Sequence, residues 1–218
     1  MKKIILIFIF IMMSSGTAHA GFLAGNSSPY IKGKGSYAVK INSTILMVQT
    51  PFSAICLACK YGYDDKVNLY GKYGVGTIDY STVSGVKLTT DPQVSGLGLE
   101  YILDGTREAQ YDAFVMEYET IAWSINKVSN TSTEMLLGWD FSAPMGDNLR
   151  TRYRVAANNF NAGTESEQEI DSTVKYSLST EIEYYFTKYF SCSFEGGIYL
   201  GDPNGLISTF GLGLGFNS

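Results

Sequence analysis

The stretch Leu206-Ile207-Ser208-Thr209-Phe210-Gly211-Leu212-Gly213-Leu214-Gly215-Phe216 reads in steps of two. Phe210, Leu212, Leu214 and Phe216 share one parity, while Ile207, Thr209, Gly211, Gly213 and Gly215 share the other. Successive side chains of a β-strand leave opposite faces, so the pattern predicts a strand with one greasy, aromatic-tipped side and one lean side.

The other end of the sequence reads as an export signal. Lys2 and Lys3 form a basic start, Ile4 to Met13 an unbroken apolar run, and Ala18-His19-Ala20 an A-x-A cleavage box. The run is half the length of about twenty residues that a membrane helix needs. We therefore expect residues 1–20 to be removed, leaving residues 21–218 as one domain. No later apolar run escapes interruption by Gly or a charge, yet 45% of residues are apolar, with 16 Tyr and 12 Phe. An exported, aromatic-rich chain without a spanning helix fits a membrane β-barrel, which hides its hydrophobicity in alternation.

Ten amphipathic segments can be laid out between the two ends. They are Ser36–Val48, Ala54–Tyr63, Val67–Tyr80, Val94–Leu103, about Tyr111–Asn126, Thr133–Ala143, Leu149–Asn159, Val174–Phe186, Phe190–Leu200 and the closing strand. The fifth changes parity between Tyr118 and Ile121, and a bulge near Glu119 would rejoin its faces. Polar loops are expected at 81–93 and 161–171, with short turns on the opposite side. The predicted class is all-β, a single antiparallel up-and-down transmembrane barrel of ten strands, with eight as the alternative. A soluble barrel would bury the greasy face instead. Aromatics bunched at strand ends (Tyr184, Tyr185, Phe186, Tyr189, Phe190) and the uncharged lean face of the last strand favour the membrane.

With the greasy face toward lipid, the other face fills the lumen. Its bases are Lys40, Lys60, Lys72, Arg150, Arg152, Arg154 and Lys175; its acids are Glu100, Glu134, Asp140, Glu181, Glu183 and Glu195. Near balance suggests a salt-bridged, packed interior, because an unpaired charge in a narrow lumen is costly. Three Arg project in a row from one strand, with Glu181 and Glu183 as the first expected partners.

Residues 33–216 resemble the small outer-membrane β-barrel proteins of the OmpA-type and opacity-type group, most specifically in the signal peptide and in Phe210-Gly211-Leu212-Gly213-Leu214-Gly215-Phe216. The resemblance implies an outer-membrane location, an up-and-down topology and insertion by the barrel assembly machinery, with Phe210, Leu212, Leu214 and Phe216 as the assembly strand. In that group the strand usually ends on a final aromatic; here Asn217 and Ser218 follow Phe216.

Other chemistry is thin. The only histidine is His19, inside the signal, which removes Ser-His and Asp-His mechanisms from the mature chain. Cys56, Cys59 and Cys192 are an odd number, and Cys56 and Cys59 should face opposite sides of a strand, so neither a disulfide framework nor a metal site is expected. The acidic run Thr164–Asp171 lacks the spacing of a Ca²⁺ loop. A net charge of −5 argues against nucleic acid. The sequence thus predicts a monomeric, cofactor-free, non-catalytic envelope protein with a charge-plugged lumen and a structural or surface role through its loops; the alternative is a narrow porin-like channel for small solutes.

Overall fold

The computed structural model describes residues 34–47, 52–81, 87–106, 109–125, 128–164, 167–187, 189–200 and 205–216, with backbone alone for 46–47, 52, 78–81, 87–89, 125, 128, 130, 160–164, 167–173 and 205–216. The reading of residues 1–20 as a signal lies outside these. All regular structure among the described residues is β. The strands are β1 (Tyr37–Met47), β2 (Phe52–Gly62), β3 (Val67–Ser81), β4 (Lys87–Thr90), β5 (Gln93–Gly105), β6 (Tyr111–Ile125), β7 (Val128–Pro144), β8 (Leu149–Thr164), β9 (Glu167–Tyr185), β10 (Phe190–Leu200) and β11 (Gly205–Phe216).

Every pairing is antiparallel, and each long strand lies between its sequence neighbours. The ladder runs from β1 through β2, β3 and β5 to β11, and β11 returns to β1, with Tyr37 opposite Phe216 and Met47 opposite Leu206. The short β4 is a spur that pairs only with the far end of β3. The ring of pairings leaves no edge along its main body, which is how a barrel satisfies every backbone donor and acceptor.

Tight turns on one side are set by local side chains. Asp64 Oδ1 accepts the N–H groups of Lys66 and Val67 at 2.7 and 2.6 Å, closing β2 onto β3. Gly105 sits at φ 79°, where a Cβ would meet the Gln110 carbonyl oxygen at 2.0 Å. Thr187 Oγ1 accepts from the N–H groups of Tyr189 and Phe190 between β9 and β10.

Burial inverts the rule of a water-soluble domain. Tyr37, Ile41, Leu57, Tyr73, Leu97, Met116, Leu137, Val155, Leu178 and Ile182 are exposed, whereas Lys40, Glu100, Asp140 and Arg154 are buried. Among the outward strand positions whose side chains are described, the only charges are Asp104 and Asp112, both at the turn end. A water-soluble monomer rarely exposes a contiguous apolar patch beyond a few hundred Å²; here an apolar belt runs around the ring. Aromatics mark its turn-side margin, with Tyr184 packed edge-on against Phe186 and Phe186 stacked on Phe190. Trp139 Nε1 donates to Asp112 Oδ1 at 3.2 Å at the same level.

Three expectations are corrected. β6 carries no bulge near Glu119: its register with β5 and β7 is continuous there, and alternation runs unbroken from Tyr111 to Ile121. Ile121 therefore points inward, 1% exposed, because the interior at that level is apolar and offers Val94, Val115 and Leu136 as company. The expected loop 81–93 contains β4, since the backbone of β3 continues upward and pairs back with Lys87–Thr90. The expected loop 161–171 is largely strand, with β8 and β9 paired up to Thr164 opposite Glu167.

Glycines on β5 let side chains of β3 cross over it. Gly98 stands between Tyr70 and Glu117, and Gly96 between Lys72 and Glu119. A Cβ on Gly98 would lie 2.1 Å from the Tyr70 ring, and one on Gly96 would lie 2.9 Å from Lys72 Cε. Gly98→Ala should displace the buried Tyr70 ring and destabilise the protein by about 1–3 kcal/mol. Tyr70→Ala should remove that penalty, so urea unfolding of the double variant should show less than the sum of the single losses.

Candidate functional site: a charged interior

The interior begins near the turns with Lys60, whose Nζ lies 2.8 Å from Glu100 Oε2. Asn68 Nδ2 donates to Glu100 Oε1 at 2.6 Å, and the Tyr111 hydroxyl donates to the same oxygen at 3.5 Å. Arg150 lies beside this group. Its Nε donates to Ser142 Oγ and its Nη2 to the Ala109 carbonyl oxygen, both at 2.7 Å, and its guanidinium covers the Tyr111 ring at 5.3 Å.

Deeper in, a chain of ion pairs crosses the barrel. Lys40 of β1 reaches Glu181 of β9, past β11 and β10. Arg152 Nη1 holds the second oxygen of Glu181 at 3.1 Å, and its Nε lies 3.9 Å from Asp140. Arg154 clasps Asp140 with two hydrogen bonds, Nε to Oδ1 at 2.6 Å and Nη2 to Oδ2 at 2.8 Å. Its Nη1 lies 3.6 Å from Glu117. Glu117 also accepts from the Tyr70 hydroxyl at 3.1 Å and pairs with Lys72 Nζ at 2.5 Å, and Lys72 pairs in turn with Glu119. The chain thus joins β1, β9, β8, β7, β6 and β3 through groups that are nearly all out of contact with solvent. Paired, charge-assisted bonds of this kind are the strong ones, and the planar Arg154 fork fits a carboxylate in a way a lysine does not.

Each base and acid expected in the lumen is buried: Lys40, Lys60, Lys72, Arg150, Arg152, Arg154, Lys175, Glu100, Glu134, Asp140, Glu181, Glu183 and Glu195. Arg152 and Arg154 of β8 divide between acids of the two flanking strands. Glu181 on β9 receives Arg152, and Asp140 on β7 receives Arg154. Glu183, opposite Arg150 in register, accepts from Ser191 Oγ at 2.6 Å. Two acids were missing from the inventory, Glu117 and Glu119. Their parity with Ala113 and Val115 is the sequence signal for them, and the apolar Ile121 on the same parity masks it.

An apolar layer accompanies the charges: Ala54, Cys56, Tyr70, Val94, Val115, Ile121, Leu136, Ala156 and Tyr199 pack together inside the ring. Cys56 is one of these, whereas Cys59 is exposed on the opposite face and Cys192 is half-buried, all with free thiols. The greasy residues of the last strand, Phe210, Leu212, Leu214 and Phe216, lie in β11, whose side chains fall outside the described residues; its backbone pairs with β1 and β10.

No family model matches the sequence, and no curated protein does. Solved structures do match in shape. The β domain of the Bordetella autotransporter BrkA, 10% identical, superposes with a TM-score of 0.53 over 84% of this chain and 99% of that one. The fold is that of an outer-membrane β-barrel. The translocator domain of the autotransporter NalP from Neisseria meningitidis covers 85% of this chain and 90% of its own at TM-score 0.49 and 9% identity. The N-terminal β-barrel domain of Pseudomonas aeruginosa OprF covers 85% and 100% at TM-score 0.40 and 15% identity.

Removing one member of a buried ion pair strands the other, at a cost of about 3–5 kcal/mol. Asp140→Ala, which removes both hydrogen bonds of the Arg154 fork and leaves that guanidinium only Glu117 at 3.6 Å, should lower the temperature at which the folded band on unboiled gels converts to the unfolded one. Arg152→Ala, which leaves Glu181 with Lys40 alone, should lower it less. Equal heat resistance of both variants and the parent would contradict a packed ionic interior.

Proposed function

We propose that this chain is a ten-stranded, non-catalytic barrel of the outer membrane, exported with removal of residues 1–20, whose lumen is plugged and whose role is structural or lies in surface contacts at its long-strand end. The ring of pairings supports the strand count, with β4 as a spur. Exposed apolar residues on outward positions support lipid as the surrounding medium. The turns that join β2 to β3, β5 to β6, β7 to β8 and β9 to β10 then face the periplasm, and the end at which β8 and β9 run furthest faces the exterior. A mature chain without histidine lacks the base that hydrolytic barrels of this kind would need.

The observation that carries the plug is the ion-pair chain from Lys40 to Glu119, laid across an apolar layer. Barrels near this size have interiors that side chains alone can fill. Water and solute would have to break buried pairs to pass. Purified protein in a planar bilayer should therefore show no discrete current steps. Reproducible open-channel steps would overturn the plug and favour a small-solute pore.

A further inference from the structure

The β8–β9 hairpin stands taller than the strands beside it. β9 pairs with β8 from Glu167 to Tyr184, but with β10 only from Tyr176 to Tyr185. Among the described residues, the backbone from Glu167 to Lys175 is thus paired on one side only. β8, by contrast, is held on both sides as far as Thr164, which lies opposite Asn130 of β7. Among the described residues, β6, β7, β8 and β9 form a wall whose longest unpaired edge lies beside β10. At about 3.3 Å per residue, that edge extends for roughly 25–30 Å.

The edge is acidic along its upper part, and its one cation, Lys175, is buried at its foot. Glu167, Glu169 and Asp171 fall within it, and no Lys or Arg occurs in the sequence between Arg154 and Lys175. An open strand edge is a template for another strand. A second copy of the same edge would bring acid against acid, which destabilises a cross-strand pair. An extended segment rich in Lys or Arg meets no such penalty: its backbone supplies the ladder and its side chains supply the complementary charge.

We propose that the open edge of β9, Glu167–Lys175, docks an extended cationic peptide segment of a partner protein, added as a further strand. The inference rests on the reading above that this end of the barrel faces outward and makes surface contacts. It gives the acidic run Thr164–Asp171 a role in protein binding instead of calcium binding.

The test uses the full barrel in lipid nanodiscs and a fluorescent eight-residue peptide of alternating Lys and Val. The peptide should bind at least tenfold more tightly than the same sequence with every peptide nitrogen methylated, which keeps the charge and abolishes the ladder. It should also bind at least tenfold more tightly to the parent than to an E167K/E169K/D171K variant. Equal binding of the methylated peptide would overturn strand addition, and undiminished binding to the triple variant would overturn the charge match. Dimerisation of the parent through this edge, relieved in the triple variant, would assign it to a second copy and overturn the proposal. A heat-resistant, electrically silent barrel that ignores the peptide would overturn this inference alone and leave the plugged-lumen reading standing.

Discussion

A backbone amide facing hydrocarbon has no water to fall back on, so every strand in a lipid-facing sheet needs two partners. The pairing of Tyr37–Met47 with Leu206–Phe216 meets that demand by joining the two ends of the sheet. Closure then makes the two-residue period decisive. One parity of each strand meets the surroundings and the other meets the interior, and no strand has a neutral side on which to place a lysine or a glutamate. The burial of Lys40, Lys60, Lys72 and the three arginines of β8 follows from the same condition that exposes Leu97, Leu137 and Leu178.

Charges gathered in this way need partners, and the partners need reach. Directly opposed residues do not supply them all: Glu119 lies opposite Glu134, and Glu181 opposite Glu195. Long side chains that pass over bare backbone bring cations to Glu119 and Glu181, while both carboxylate oxygens of the buried Glu134 have no hydrogen-bond partner among the described residues. Lys72 and Tyr70 cross Gly96 and Gly98 to reach β6, and Lys40 crosses β11, where the register sets Gly213 beside it, on its way to Glu181. The lean faces of β5 and β11 are therefore the counterpart of the charged faces of β1, β3 and β6. Buried ion pairs add little net stability over a well-packed apolar core, but breaking one is expensive, so they restrict the alternatives open to the chain. The apolar layer around Val94, Val115 and Leu136 supplies packing that charges do not.

The parity of most strands was legible in the sequence because apolar and charged residues alternate cleanly, as in Arg150–Val155 and Lys175–Tyr184. β6 was not, because Ile121 and Trp123 look like a greasy outward face, and only the apolar company inside the ring explains why Ile121 turns in. The tall ends of β8 and β9 resemble loop in the sequence because acids and hydroxyls dominate there; cross-strand hydrogen bonding, which sequence composition does not encode, makes them strands. The lumen charges themselves could be named from their spacing. Their pairing could not, since Lys40 and Glu181 meet across the barrel from positions 141 residues apart, and that meeting depends on the stagger of the strands around the ring.

The central claim is that the outward parity meets lipid and the inward parity meets a sealed interior. Nitroxide labels placed singly at positions 176, 178, 182 and 184 of β9, in a cysteine-free barrel reconstituted into bilayers, test it by collision with oxygen and with a water-soluble nickel chelate. Oxygen should dominate at 178 and 182, deep in the belt. The nickel chelate dominating at those positions would place the greasy face in water and contradict the account.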